Sequence, residues 1–384
     1  MTRFLFLISI YICVCQNVVA QNVPKYVNEF LAIGVGARAL GMANTQVAIV
    51  DDVTAGYWNP SGLLQNKKKY SASLMHTGWI ANTTNYDYAG FSTIIDKRSV
   101  LGFSLLRFGV DGIPDTRFLF DADGRLNYNN VTSFSSADYA FIFSYARRFP
   151  LLKDIRFGAN AKIIHRKAGT FANAWGFGVD VGAQYNQERW YFGVNARDIT
   201  STFNVWSVNS QALYETFSIT DNTIPENSIE IALPRLITDV AYKIPILISE
   251  NNLNNNTNNN SVTHVEKLGL WISASLETTF DGKRNTVLKT NFASIDPKIG
   301  LELHYKNLVF IRSGINGIQK IKQLGGGEKY NLNPNFGLGF KISDLQIDYA
   351  LTSLGEFNAK LYSHVFSLKA GFDVSKNKTP RHIY

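Results

Sequence analysis

Cysteine is almost missing from this chain. Both residues, Cys13 and Cys15, fall in an N-terminal stretch that reads as an export signal. The mature chain is therefore expected to carry no thiol, which excludes disulfides, thiolate metal sites and a cysteine nucleophile. Beyond that stretch no run of 18 apolar residues occurs, so no transmembrane helix is available. Methionine, a good helix former, is down to three residues, and charged residues make up only 18% of the chain. A formal charge of +8 raises the question of nucleic acid. The basic residues are dispersed, however, apart from Lys67-Lys-Lys69, and no basic patch is interleaved with aromatics; the charge reads as lumen and rim charge. There is no Gly-x-Ser-x-Gly elbow to seat a hydrolase serine, and six histidines are scattered without metal-ligand spacing. Neither catalysis, a cofactor nor a metal is expected.

What is present begins with the signal. Met1-Thr-Arg3 is a short basic start, Phe4 to Cys15 an apolar stretch, and Val18-Val-Ala20 offers small residues ahead of Gln21 for cleavage. Ile12-Cys-Val-Cys15 lacks the Leu-x-Gly/Ala-Cys pattern of a lipoprotein. The rest is rich in aromatics, with 26 Phe, 18 Tyr and 6 Trp, and alternates with period two. Ile299, Leu301, Leu303 and Tyr305 are separated by Gly300, Glu302 and His304; Phe366, Leu368, Ala370 and Phe372 by Ser367, Lys369 and Gly371. Such alternation gives one apolar and one polar face. A soluble sandwich would show it too.

Length and connection parity separate the two. About fourteen strand candidates are legible, near 69–79, 84–95, 99–110, 136–149, 155–169, 173–186, 190–200, 230–244, 267–281, 289–305, 308–319, 332–343, 345–355 and 363–374. Most are about twice the usual strand of a soluble domain and suit a tilted bilayer crossing. If the first strand runs outward, the long connections 111–135, 201–229 and 320–331 are external and the tight turns at 96–98, 187–189, 306–307 and 343–344 are periplasmic. That is the pattern of an outer-membrane barrel. One connection departs from it: the Asn-rich run 251–260 would be periplasmic, and its composition marks a disordered insertion. The expected fold is an all-β transmembrane antiparallel β-barrel of about 14 strands, with a signal peptide at 1–20, an N-terminal plug at 21–68, the barrel at 69–374 and a periplasmic tail at 375–384. Apolar faces should meet lipid. Inward changes such as Glu302 or Lys369 to Gln should cost little.

Between the signal and the strands stand Ile33-Gly-Val-Gly-Ala-Arg-Ala-Leu-Gly-Met42 and Val50-Asp-Asp-Val-Thr-Ala-Gly-Tyr-Trp-Asn-Pro-Ser-Gly-Leu63. This pairing resembles the N-terminal segment of FadL-like outer-membrane barrels, and most closely that of the PorV/PorQ family associated with type IX secretion. Asp348-Tyr-Ala-Leu-Thr-Ser-Leu-Gly355 and His364-Val-Phe-Ser-Leu368 resemble the last hairpin of the same group. Met42-Ala-Asn44 departs from the glycine-rich run of many relatives. The resemblance implies a hatch folded into the lumen, carrying Gly36, Arg38, Gly41, Asp51, Asp52, Trp58, Asn59, Pro60 and Gly62. A barrel of this size leaks unless something occupies it. Buried charges need partners, so Arg38 or the Asp51-Asp52 pair should meet opposite charge on the inner wall.

Two functions follow from the resemblance. One is a secretion component that binds translocon or accessory proteins, or exported cargo. Its contacts would fall on the long external loops through Phe118, Phe120, Phe203, Trp206, Tyr214 and Phe217; those aromatics could equally pack together or form a membrane girdle. The other is a FadL-like channel for hydrophobic small molecules, whose trace would be inward apolar residues such as Leu106 and Ile142. Phe372, ending the last strand, is the candidate assembly signal. Outer-membrane lipid is the expected surround; no nucleic-acid partner is expected. Two decoys are set aside. Gly34-Val-Gly-Ala-Arg-Ala39 is followed by no βαβ unit, and Asp121-Ala-Asp-Gly124 lacks the later Glu of a calcium loop.

Overall fold

The computed structural model describes residues 27–79, 82–121, 123–152, 154–219, 221–253, 261–280, 284–322, 326–353 and 362–373. The signal at 1–20, the tail at 375–384 and residues 254–260 of the Asn-rich run lie outside them. Before the first strand come two short helices, α1 (Ala37–Gly41) and α2 (Ala55–Trp58), and a 3-10 turn at Pro60–Gln65.

Seventeen strands follow among the described residues. They are β1 (Tyr70–Trp79), β2 (Thr84–Asp96), β3 (Ser99–Asp115), β4 (Thr132–Arg148), β5 (Ile155–Ala168), β6 (Ala172–Gln187), β7 (Trp190–Arg197), β8 (Phe203–Val208) and β9 (Ile229–Ile231). After these come β10 (Arg235–Leu253), β11 (Ser261–Thr279), β12 (Leu288–Lys289), β13 (Ser294–Tyr305), β14 (Val309–Lys322), β15 (Glu328–Ile342), β16 (Leu345–Ser353) and β17 (Tyr362–Phe372). Fourteen of them close an antiparallel ring: β1 to β7, then β10, β11 and β13 to β17, with β17 returning to β1 through Leu74↔Leu368 and Tyr70↔Phe372. Closure leaves no edge in lipid, where each unpaired backbone group would be expensive. The short β8, β9 and β12 extend the wall at the end that carries the long connections, called external on that ground, the end with the tight turns being called periplasmic.

The alternation decides which face is which. Along β13, Ile299 and Leu301 are exposed on the outside while Glu302 between Leu301 and Leu303 is 1% exposed. Leu368 and Phe366 point outward and Ser367 inward. Leu301→Arg is therefore expected to destabilise the folded barrel by about 2–4 kcal/mol if it lies near the midplane; urea titration of the heat-modifiable band in lipid vesicles reads it, and an unchanged midpoint would place Leu301 off the lipid. Tight turns sit at the periplasmic end. At Tyr305–Leu308 the central Lys306 and Asn307 take φ of 50° and 53°, and Leu308 N–H closes on the Tyr305 carbonyl at 2.9 Å, the mirror-image turn that suits strand twist.

Three connections differ from the sequence reading. Residues 251–253 are not insertion but the end of β10, paired with β11 down to Leu253↔Ser261. Since β7 reaches β10 only from Arg235 to Tyr242 and β13 reaches β11 only from Leu268 to Thr279, the two strands run on past their neighbours as a ribbon on the periplasmic side. The connection 201–229 holds β8 and a helix, α3 (Ser210–Ile219), whose start is capped by the Asn209 side chain accepting from Ala212 N–H at 3.2 Å. And 320–331 is mostly strand, since β14 and β15 pair as far as Lys322↔Glu328.

Candidate functional site

The site is the lumen, and residues 27–66 fill it. Val35, Ala37, Met42, Ala43 and Val47 are wholly buried, as are Asn59 and Ser61. Small residues on the wall admit this close approach. A Cβ on Gly193 would stand 2.3 Å from the Val47 carbonyl oxygen, and one on Gly158 would stand 2.4 Å from Ser61 N. Gly36, at φ +85°, turns the chain into α1. Gly41 lies against the Gly337 backbone and Gly62 against the Val50 carbonyl.

The turn Trp58-Asn-Pro-Ser-Gly62 is held by its own polar atoms and by the wall. Trp58 Nε1 donates to the Val35 carbonyl at 2.9 Å, tying the two sequence motifs together. Asn59 Nδ2 donates to the Val47 carbonyl at 2.9 Å and to Ala183 of β6 at 3.0 Å, while its Oδ1 accepts from the Ser61 hydroxyl at 2.7 Å. Pro60 starts the 3-10 turn, where its missing N–H is no loss. Wall side chains satisfy the segment's backbone in return: Asn195 donates to the Trp58 carbonyl at 2.7 Å, Asn160 to Gly56 at 2.9 Å, and Asp239 accepts from Val47 N–H at 2.6 Å. Leu106 and Ile142 do point inward, but they pack in one core with Tyr57, Trp58 and Leu63.

The charges form a closed circuit. Arg38 in α1 grips Glu302 of β13 with two hydrogen bonds of 2.9 Å and donates to Asp51 at 2.8 Å. Arg312 of β14 donates to Glu302 at 2.6 Å and to Asp348 of β16 at 2.7 Å. Lys369 of β17 lies 3.4 Å from Asp348 and donates to Asp52 at 2.7 Å. Asp52 is chain neighbour to Asp51, so the circuit returns to Arg38. Burial pushes the Asp52 carboxyl up, but the Lys369 ammonium, the Thr54 hydroxyl and Arg38 outweigh it and bring it down to about 2 from an ordinary 3.8. A depressed carboxyl stabilises the folded state above its unfolded value and loses that contribution as pH falls through the folded one. Protection of residues 27–66 from protease should hold from neutrality to about pH 4 and decline toward pH 2, and Asp52→Asn should flatten that decline. A decline beginning near pH 6 would point to another group.

Above and below this packing lie two cavities. The periplasmic one, about 520 Å³, is lined by Arg38, Asp51, Asp52, Lys68, Trp271 and Lys369 among others. The external one, about 560 Å³, has Arg235, Glu277, Arg284, Asp296 and Lys298 in its wall.

A family model described as the type IX secretion system protein PorV matches residues 16–259 of the 384-residue chain. The chain belongs to the PorV family. This PorV-family protein is thus an outer-membrane barrel associated with type IX secretion, a group of transport and secretion proteins. Comparison with curated proteins finds no match. Among solved structures it resembles the P. putida toluene transporter TodX, at 13% identity and a TM-score of 0.52, covering 88% of this chain and 99% of that one. It also resembles the CymD monoaromatic hydrocarbon channel, at 11% identity and a TM-score of 0.51, covering 89% and 98%. At such identities the likeness is one of fold.

The loop aromatics separate. Phe118, Phe120 and Tyr214 are exposed on the external connections and Phe217 is half-buried. Arg117 joins the two connections, donating to the Ala212 carbonyl of α3 at 2.9 Å and lying 4.6 Å from the Phe171 ring. Phe203 and Trp206 are in β8 rather than a loop: Phe203 faces outward beside Phe177, and Trp206 faces the other way under Arg166 at 5.2 Å. Phe372 is exposed at the periplasmic end of β17, its ring 5.5 Å from Tyr70. Sequence reasoning found Arg38 and Asp52 but did not join them to Glu302 and Lys369, nor see Arg312 and Asp348 that link those two. The available signal was a charge at an inward position of a strand whose other face is apolar.

Proposed function

We propose that this protein serves type IX secretion by contact at its external rim, binding translocon or accessory proteins or exported cargo, and not by conducting through its lumen. What supports this is the lumen lining. The wall of the external cavity carries Arg235, Glu277, Arg284, Asp296 and Lys298 beside Ile33, Leu40 and Trp79, and its five ionisable side chains hold water that an apolar solute would have to displace. The inward apolar residues are consumed by Tyr57, Trp58 and Leu63. In this reading Gly36, Arg38, Gly41, Asp51, Asp52, Trp58, Asn59, Pro60 and Gly62 act as a hatch that keeps the barrel shut. Phe118, Phe120, Tyr214, Phe217 and the inward edge at Trp206 supply the contact face, with Phe203 left to the lipid. Purification from native outer membranes in mild detergent, followed by mass spectrometry, tests it. Recurrent secretion proteins, lost on Phe118→Ser with Tyr214→Ser, are expected; a bound hydrocarbon or lipid with no protein partner would overturn it.

Phe372 is assigned to assembly, because it closes the last strand on Tyr70 where the ring is sealed. Phe372→Asp should sharply lower the heat-modifiable species in outer membranes, and removal of residues 376–384 should not. The reverse outcome would move the signal to Tyr384.

A further inference from the structure

Buried cations of the lumen are mostly answered by a carboxylate. Lys162 lies 2.6 Å from Asp180, Lys298 2.6 Å from Glu277, Arg312 2.6 Å from Glu302 and Lys369 2.7 Å from Asp52. Arg197 is held differently, by the Leu31 and Tyr57 carbonyls and by the faces of Tyr57 and Trp58. Arg156 of β5 meets neither a carboxylate nor a ring face among the described residues. It is 8% exposed and faces the lumen, two residues before Gly158, which lies against Ser61. Its Nη2 donates to Asn186 Oδ1 at 2.7 Å and to Gln184 Oε1 at 3.4 Å. Its Nε is buried and, among the described residues, has no acceptor. A buried cation without a counterion is expensive, and a buried donor without an acceptor calls for a physical reason.

Arg148 sharpens the anomaly. It is the last residue of β4 and is directly paired with Arg156 across the ladder, where like charges repel. It turns inward as well, donating from Nη2 to the Leu64 carbonyl of the lumen segment at 3.4 Å, and it is exposed at the periplasmic mouth. Gln65, next to Leu64, donates to the same Gln184 Oε1 that Arg156 uses, at 3.0 Å. Gln65, Lys67 and Tyr191 also line the periplasmic cavity of about 520 Å³, which opens this side of the mouth to solutes.

We infer that Arg148 and Arg156 form an anion site that takes a phosphate group from the periplasm. Guanidiniums present planar forks of N–H donors that match phosphate oxygens. Two neighbouring cations balance a group that carries roughly −1.5 to −2 near neutrality. Arg156 is sunk beside Gln184 and Asn186, which suits one small group rather than a broad surface. Phe149 and Phe157 meet at 5.8 Å on the opposite, outer face of the same hairpin, so the wall stands between the arginines and the surrounding headgroups. Free phosphate has a direct way in through the cavity, whereas the phosphate of a phospholipid would have to bend over the lip. Through Arg148 and Leu64 the occupant also steadies the segment that fills the lumen.

Calorimetry tests it. Full-length protein, checked for folding by heat modifiability, is titrated with inorganic phosphate in a non-ionic detergent. Binding to a single site is expected, weakened at least tenfold in Arg156→Gln and in Arg148→Gln. Because Arg148 is exposed, its variant keeps the test decisive should Arg156→Gln not fold. In a second arm, phosphatidylglycerol carried through detergent exchange is counted by native mass spectrometry. Free phosphate bound by the wild type alone assigns the site to free phosphate. One retained phosphatidylglycerol, lost in the variants, with no binding of free phosphate assigns it to a headgroup. Binding of neither, or binding that Arg148→Gln leaves unchanged, would overturn the site. Phosphate should also raise the urea midpoint of the wild type above its value in potassium chloride of equal ionic strength, and leave Arg148→Gln unmoved; an equal rise in both would mean a general salt effect and would overturn it too.

Discussion

Glu302→Gln is expected to destabilise the folded barrel by about 3–5 kcal/mol, the range for removing one partner of a buried ion pair. Its carboxylate is the meeting point of two guanidiniums, Arg38 from the lumen segment and Arg312 from β14, and both Glu302 and Arg312 are buried to within 1%. Neutralising it leaves Arg38 with Asp51 and Arg312 with Asp348, one carboxylate each where three groups had shared two cations. Arg312 Nη2 already lacks an acceptor among the described residues. The urea midpoint in vesicles reads the loss. Glu328→Gln is the control, because its contact with Lys320 at 3.5 Å is exposed and worth under about 1 kcal/mol. Equal shifts for the two would mean that water reaches Glu302 freely. On alternation alone this substitution looked cheap, since an inward polar residue in a barrel is ordinarily wetted.

Deleting residues 21–64 is expected to convert a silent barrel into a conducting one. Eight strands leave an interior that side chains fill, and sixteen to eighteen leave a water channel. The fourteen here are lined with glycines such as Gly158 and Gly193 that cannot fill space themselves. The wall should survive the deletion: Glu302, Arg312, Asp348 and Lys369 remain as two charges of each sign. Planar-bilayer recording is the measurement. Gly193→Val should give intermittent openings, because its side chain would collide with the Val47 carbonyl. Conductance no greater than that of the intact protein would show that inward side chains close the lumen unaided.

Much of the wall was legible because lipid on one side and polar groups on the other impose a strict period of two. The ends of β1, β2, β7 and β16 fall within a few residues of where Tyr70, Asp96, Trp190 and Leu345 suggested. The start of the Asn-rich run was misread because composition was read ahead of register: Asn251 and Asn252 pair with Thr263 and Val262, while 254–260 lie outside the described residues. Helix α3 escaped notice because one Asn cap and ten residues make a weak pattern. Phe203 was read as a loop residue because Asp198 to Thr202 interrupts the alternation before β8 resumes it. Partners of inward charges could not be read at all. Which strand faces Arg38 depends on closure of the ring, and no local spacing carries that.

That dependence bears on the order of events during biogenesis. The contacts that seat the lumen segment span nearly the whole chain: Arg38 to Glu302 is separated by 264 residues, Asp52 to Lys369 by 317, and Ala37 N–H to the Ser367 hydroxyl by 330. The first residues made are thus the last to find their place, since β17 must arrive before the circuit can shut. Contacts of such long range are slow to form, because loop closure is paid before they reward it. Until then Arg38 and Asp52 are solvated, and a truncated or stalled chain lacking β17 has no Lys369 to receive Asp52. Seating of this segment therefore depends on the last strand: a chain that resists protease at residues 27–66 is expected to be one in which β17 is in place.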